Sequence, residues 1–268
     1  MGASGIRTEI NYVVRGEKAV FCAADRDASY WPRDPHQVTI EDVRPIADQL
    51  SFDRNGFVLL EEPTAVTDFR DPAQIGDVYI PEIVALVKRL TGAEKVITFG
   101  TMMRSDSPGM EDGGLPAHGA HVDYGDYTVR ETVRNMLGDE ADRWLERRYM
   151  LINLWRPIRT VERTPLALCD ASTVFAEDMF DSEVRGGLGD ANRPSLWGYN
   201  LAHRPEHRWY YTPRMRPEEI YAFKLFDSDC SRVQFTAHTA FEDPSAPADA
   251  APRQSIELRT ISFMPEPA

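Results

Sequence analysis

The second half of the chain is a series of short segments rich in apolar and aromatic residues, separated by clusters of Pro, Gly, Asp and Arg. Many short strands with turns between them are typical of a β-barrel or β-sandwich. We therefore predict a mainly β fold with flanking helices. The predicted strands of this half cover residues 149–155, 165–169, 196–201, 208–211, 221–226, 233–235 and 255–264.

The first half mixes strand and helix patterns. Strands are predicted over 10–22, 57–60 and 95–99, a helix starting with Thr39 as its N-cap over 39–50, and a helix from Pro81 that ends at Gly92. Residues 128–147 are predicted to be helical, interrupted at Gly138. With 268 residues and no internal repeat, we expect a single domain over 1–268, in which the N-terminal strands and helices (1–104) pack on a core of about 117–268.

Composition excludes several classes of protein. The chain has 43 acidic and 30 basic residues, a formal net charge of −13, so a nucleic-acid partner is not expected. No apolar stretch approaches the length of a membrane span, and the three cysteines show no paired spacing. We expect a cytoplasmic protein with a small-molecule substrate, no nucleic-acid partner and no membrane association. The sequence allows a homodimer.

A candidate metal site starts at His121-Val-Asp123. Among six histidines in so acidic a chain, one such triplet is expected by chance, so its context matters. In a strand, residues i and i+2 share a face, so an imidazole and a carboxylate would lie side by side. His238 follows 117 residues later. Two imidazoles and one carboxylate suit a non-haem Fe(II) oxygenase, and they also suit a catalytic zinc.

Basic residues after His238 could bind a carboxylate. Arg253 offers a planar fork and Ser255 a hydroxyl, a combination that suits the distal carboxylate of 2-oxoglutarate. Arg259 shares strand parity with both, so it could face the same cavity or form a structural ion pair. Arg156 could contact the co-substrate or the substrate, or it could pair with an acid.

The remaining histidines have less specific surroundings. His118 is predicted to be a loop residue near the mouth of the site, and His36 a surface turn residue. His203 and His207 have Pro205 between them, which argues against a regular helix and favours a turn between two strands. Two loops, 105–119 and 243–252, are predicted to border the pocket mouth, to be more mobile than the barrel and to carry specificity; the alternative is that both are plain surface connections.

From about residue 117 to the C-terminus, six ordered segments resemble the hydroxylase/desaturase family of secondary metabolism, which includes the cephamycin 7-alpha-methoxylation component and fungal meroterpenoid oxygenases. The segments are His121-Val-Asp123, Asn153-Leu-Trp-Arg-Pro157, Pro165-Leu-Ala-Leu-Cys-Asp170, Phe226-Asp-Ser228, His238-Thr-Ala-Phe241 and Arg253-Gln-Ser-Ile-Glu-Leu-Arg259.

The resemblance implies a double-stranded β-helix, the cupin-like jelly roll. It implies Fe(II) held by His121, Asp123 and His238, and 2-oxoglutarate held by Arg253 and Ser255, with O2 as the other co-substrate. Such an enzyme hydroxylates, desaturates or otherwise oxidises a small secondary metabolite through an Fe(IV)-oxo species. Two alternatives stay open at this point: a non-catalytic cupin-like metal-binding or accessory protein, and a metal-dependent isomerase or hydrolase.

Overall fold

The computed structural model describes residues 5–22, 25–107, 114–185 and 194–266. Within these ranges it contains fourteen strands. They are β1 (Gly5–Val13), β2 (Ala19–Cys22), β3 (Arg33–Asp42), β4 (Phe57–Glu61), β5 (Lys95–Ser105), β6 (His121–Val122), β7 (Tyr149–Pro157), β8 (Leu166–Cys169), β9 (Met179–Arg185), β10 (Pro194–Leu201), β11 (Trp209–Tyr211), β12 (Glu219–Asp227), β13 (His238–Ala240) and β14 (Gln254–Phe263).

The helices are fewer and lie mostly between β4 and β7. The α-helices are α1 (Pro72–Gln74), α2 (Ile80–Thr91), α3 (Asp126–Leu137) and α4 (Ala141–Leu145), and a π-helical turn, Ile75–Tyr79, joins α1 to α2. The 3-10 helices are Arg26–Ala28, Arg44–Gln49, Gly138–Glu140, Ala171–Thr173 and Ala176–Asp178.

Within the described ranges the strands form two sheets. The larger has nine strands in the order β1-β3-β11-β8-β13-β6-β10-β9-β2, and the smaller has five in the order β4-β12-β7-β14-β5. Most neighbours are antiparallel, while β11 with β3 and β2 with β9 are parallel. This arrangement confirms the predicted mainly β jelly roll with flanking helices.

The two faces of the five-stranded sheet bury different clusters. Trp155, Tyr221 and Phe223 belong to the inner cluster, which extends to α3 and α4 and includes Leu168 of the larger sheet. Ile256 and the other alternate residues of the central strands pack on the outer face against α2. Alternation along a strand sends neighbours to opposite faces, so each strand of this sheet contributes to both clusters.

The N-terminal segment supplies strands to both sheets. β1 and β3 form one edge of the nine-stranded sheet, and β2 pairs with β9 at the other edge. β4 and β5 form the two edges of the smaller sheet. The residues before 104 are therefore built into the sheets that contain the later strands.

Most predicted elements are confirmed, and three predictions are wrong. His36, predicted to be a turn residue, lies in β3 opposite Ile10. Residues 39–42 lie in β3 and not in a helix, and only a 3-10 helix, Arg44–Gln49, follows. The Thr39 pattern resembles a helix start locally, but pairing with β1 overrides it. Residues 233–235, predicted to be a strand, belong to no strand. The next residue, Thr236, still donates its backbone N–H to the carbonyl oxygen of Lys224 in β12.

Candidate active site

Three potential metal ligands converge between the two sheets. His121 starts β6 and His238 starts β13, and the two residues are direct cross-strand partners. Asp123 follows β6 immediately. One ligand atom from each of the three side chains can be chosen so that all lie within 4.8 Å of one another, and this is the only such group in the part of the chain that the structure describes.

Both imidazoles are oriented by backbone carbonyls. Nδ1 of His121 donates to the carbonyl oxygen of Gly119 at 2.6 Å, and Nδ1 of His238 donates to that of Thr236 at 3.1 Å. A carbonyl can only accept, so the proton must be on Nδ1 and Nε2 carries the free lone pair. Such contacts fix the tautomer and the ring orientation in metal sites.

The protonation states also suit a cation. Burial, together with the neighbouring His121, lowers the pKa of His238 to about 4, so the ring stays neutral near pH 7. Burial alone would raise the pKa of Asp123, but Arg259 and the two histidines hold it well below its usual range. A neutral imidazole on His238 and an ionised carboxylate on Asp123 are therefore available together.

Ser255 lies on β14, the strand that faces this cluster, and Arg253 directly precedes the first residue of that strand. Both are almost fully buried. Arg253 donates through Nη1 to the carbonyl oxygen of Thr164 at 2.8 Å, and its guanidinium lies 5.5 Å from the ring centre of Trp155. Burial and the charge of Arg104 lower the pKa of Arg253 to about 10.

Two polar atoms of this pair have no partner. Arg253 Nε and Ser255 Oγ make no hydrogen bond to any described residue. A buried polar atom without a partner is costly, and a bound ligand is one common explanation. The pair therefore fits an anionic oxygen group.

A narrow cavity of about 20 Å³ connects these residues. Its walls include His121, His238, Arg253 and Glu257. This space holds about one water molecule, so a ligand as large as 2-oxoglutarate enters only if lining side chains move. A larger cavity of about 410 Å³ lies beside residues 63–70 and contains none of the candidate ligands in its lining.

The structure places Arg259 and Arg156 differently with respect to the cluster of His121, Asp123 and His238. Arg259 reaches the cluster, where its Nη2 lies 3.6 Å from Asp123 Oδ2. Arg156 does not: it pairs in register with Ile256, on the outer face of the sheet. Its Nη1 donates to the carbonyl oxygen of Pro217 at 2.6 Å, and its guanidinium lies 5.8 Å from the ring of Tyr79.

Sequence patterns missed two charged residues of the cavity. Arg104 and Glu257 both line it and pair with each other at 3.1 Å. Arg104 lies on β5, opposite Ser255, and only the β5–β14 register reveals that position. Glu257 lies two residues after Ser255, so strand alternation could have predicted that it faces the cavity together with Arg253 and Ser255.

Of the two predicted mouth loops, the first contributes a residue to the wall of this cavity, and the second directly precedes the cavity residue Arg253. Ala117 lines it and accepts a backbone hydrogen bond from Ala240 at 2.7 Å. Residues 108–113 lie outside the described ranges. The segment before Arg253 is attached through Ala251, whose N–H donates to Glu162 Oε2 at 2.9 Å. The specificity role of these loops stays a prediction.

A jelly roll that presents two imidazoles and one carboxylate between its sheets has the ligand set of a non-haem iron oxygenase. A family model described as "Oxidoreductase/YMDC permease-like domain" matches residues 10–263.

In the part of the chain that the structure describes, no helix has the length and apolar character needed to cross a membrane.

Curated relatives and solved structures give a consistent result. The Fe(II)/2-oxoglutarate-dependent dioxygenase nvfI of Aspergillus novofumigatus is 31% identical over 236 residues, covering 85% of this chain and 84% of its own. The alpha-ketoglutarate-dependent dioxygenase tstK of Talaromyces stipitatus is 30% identical, covering 89% and 90%. The solved structure of the iron and alpha-ketoglutarate-dependent endoperoxidase NvfI superposes with a TM-score of 0.87 at 28% identity, covering 97% and 98%.

The chain belongs to the family of Fe(II)/2-oxoglutarate-dependent dioxygenases. It is an oxygenase of secondary metabolism that uses Fe(II), 2-oxoglutarate and O2, as the six ordered segments predicted. The reading as a non-catalytic cupin-like protein and the reading as an isomerase or hydrolase are both set aside by this membership. A small-molecule substrate agrees with it.

Proposed function

We propose that His121, Asp123 and His238 hold the iron, and that Arg253 with Ser255 anchors the distal carboxylate of 2-oxoglutarate. The observation that carries this proposal is the convergence of the three ligand atoms within 4.8 Å, next to a buried arginine and a buried serine with unpaired polar atoms. The chemistry of the donors fits both groups.

The protein residues have separate tasks. The two histidines offer Nε2 because their Nδ1 atoms are engaged by carbonyls. Asp123 supplies the negative charge, and the arginine fork recognises a carboxylate by charge-assisted hydrogen bonds. With 2-oxoglutarate and O2, bound Fe(II) supplies the oxidation of a substrate C–H bond, while the co-substrate loses CO2 and becomes succinate. Burial of the cluster excludes bulk water from this chemistry.

The substrate is proposed to be a small secondary metabolite that is hydroxylated, desaturated or otherwise oxidised. Apolar side chains on the cavity wall, Trp155, Leu166 and Phe223, support an apolar surface on such a molecule. We also propose that residues 1–268 act as one domain, because the N-terminal strands complete both sheets. A cytoplasmic location is a further proposal. A homodimer remains a prediction.

Metal binding tests the ligand assignment directly. Anaerobic titration with Co(II), followed by its visible absorption, should show one site in the wild type and none in H238A or D123A. The matched control is H118A. His118 lies three residues before His121, but it pairs with Glu242 at 3.8 Å and is outside the ligand group. Undiminished Co(II) binding by H238A would refute the assignment. Succinate formation from 2-oxoglutarate should be lost in the same variants and kept in H118A.

A further inference from the structure

Arg259 has partners that differ from those of Arg253. Its Nη2 lies 3.1 Å from Glu257 Oε1 and 3.6 Å from Asp123 Oδ2. Arg253, which directly precedes β14 and also lines the cavity, forms no ion pair with any described residue. Both leave Nε without a hydrogen bond to the described residues, so the difference lies in the carboxylates they face.

Glu257 extends this contact into a chain of alternating charges. Its Oε1 accepts from Arg104 Nε at 3.3 Å and Nη2 at 3.1 Å, in addition to Arg259. Its Oε2 lies 3.5 Å from Asn153 Nδ2. Arg104 in turn donates through Nη1 to the carbonyl oxygen of Leu115 at 2.9 Å. Glu257 is therefore fixed from several sides and in turn fixes the guanidinium of Arg259.

The backbone of β5 is adapted to this side chain. The β5–β14 register shifts between Leu258 and Arg259, so that Gly100 is left without a partner in the ladder. Gly100 has a φ of +65°, in the left-handed region that favours glycine. A Cβ there would lie 3.6 Å from Arg259 Nη1, so the bulge passes directly beside the guanidinium. Bulges of this kind often re-aim side chains next to active sites.

The charges favour a positioning role. A guanidinium placed between two buried carboxylates is already neutralised, so it gains less from a third carboxylate than Arg253 would. Fixing Asp123 has a clear benefit, because residues that orient metal ligands typically contribute 10- to 100-fold to metal affinity or activity.

We propose that Arg259 is a positioning residue that orients the carboxylate of Asp123 toward the metal, held there by Glu257, and that it does not bind 2-oxoglutarate. This inference rests on the proposed function of His121, Asp123 and His238. It replaces the alternative, open at the level of sequence, in which Arg259 shares co-substrate binding with Arg253.

Two affinities measured on the same variants test it. The Kd of Co(II) is measured anaerobically by visible absorption, and the Kd of 2-oxoglutarate is measured at saturating Fe(II) from the charge-transfer absorption of the chelate. R259Q should raise the metal Kd about 10- to 100-fold and change the Kd of 2-oxoglutarate by less than about threefold once metal is saturating. R253A should show the reverse pattern.

R156Q is the matched control, because Arg156 is another buried arginine, on a neighbouring strand, and its side chain faces away from the site. It should leave both affinities unchanged. If R259Q does not fold, R259K carries the test: it keeps the charge without the planar fork, so its metal Kd should rise by a smaller factor.

A metal Kd within twofold of the wild type in R259Q and R259K, with a loss of 2-oxoglutarate affinity like that of R253A, would overturn the proposal. If the wild type itself binds no Co(II), the ligand assignment fails, and this inference fails with it. If the wild type binds Co(II) and H238A does not, a normal metal Kd in the Arg259 variants contradicts only the positioning role.

Discussion

Strand parity places Arg253, just before β14, and Arg259, within β14, correctly but does not reveal their partners. Arg253 and Arg259 share a parity, yet Arg253 forms no ion pair with a described residue, whereas Arg259 lies within ion-pair distance of two carboxylates. Burial of a charged group is costly unless it is paired, so an unpaired buried arginine indicates a place where a ligand's charge belongs. On this contrast rest our proposals that Arg253 binds the co-substrate and that Arg259 supports the metal ligand.

Replacing Arg253 should damage co-substrate binding selectively. R253A should raise the KM for 2-oxoglutarate by about 10- to 100-fold, since a charge-assisted contact contributes about 1.5–3 kcal/mol. R253K should recover only part of this loss, because an ammonium offers a point charge in place of a fork. The measurement is succinate formation against 2-oxoglutarate concentration.

Ser255 provides a graded comparison for that experiment. S255A removes one neutral hydroxyl, so its KM should rise by only about fivefold, in line with about 1 kcal/mol for a neutral hydrogen bond. An unchanged KM in R253A would contradict the assignment and would direct attention to Arg104, the other arginine of the cavity wall.

The sequence predicts the metal ligands better than their surroundings. His121 and Asp123 lie two residues apart at one strand end. His238 is identified only by its position downstream of them in the chain. Arg156 shows the limit: its parity within β7 is visible, but which face is the inner one depends on pairing with β14. Arg104 depends in the same way on a register across about 150 residues of chain.

At the scale of elements, the short strand β6 is held by its neighbour. A Cβ on Gly198 of β10 would lie 2.2 Å from the carbonyl oxygen of Val122 and 2.8 Å from that of Asp123. Such distances do not occur in real proteins, so the β6 backbone must shift if the glycine is replaced. Any shift there moves two of the proposed metal ligands.

G198A should therefore lower both stability and metal affinity. Overpacking of this kind costs about 1–3 kcal/mol, and the unfolding midpoint should fall accordingly. G76A is the control, because a Cβ on Gly76 meets nothing within 4 Å. Thermal unfolding and Co(II) titration of both variants check this. A G198A protein with wild-type metal affinity would show that β6 does not depend on this close approach.

Local patterns identify elements where pairing and burial agree with them. Helix α2 has an apolar side and ends at Gly92, whose φ of +70° matches the predicted role of this residue. The central strands β7 and β12 of the five-stranded sheet are buried along their whole length, so they are recognisable as largely apolar runs. β9 was missed because it is only partly buried and lies near the edge of its sheet.

For the whole molecule, a group of histidines couples stability to pH. Tyr12 contacts the rings of His36, His203 and His207, and the first two stack at 3.7 Å. Burial lowers the pKa of His203, and the charge of His36 adds to this effect. Burial also lowers the pKa of His207, against the opposing effect of Asp178.

These shifts predict a loss of stability on acidification. Each group binds its proton less tightly in the folded protein than in the unfolded chain, where its pKa is about 6.5. The unfolded state therefore takes up more protons, and the free energy of unfolding falls as pH drops below about 6.5. Urea unfolding at pH 7.5 and 5.5 should show this fall in the wild type and a smaller one in H203Q. Between pH 7.5 and 8.5 these groups should contribute no change, which serves as the control interval. An equal fall in H203Q and wild type would show that the stacked pair does not contribute, leaving His118, His207 and the buried His238 as the other histidines whose lowered pKa produces such a slope.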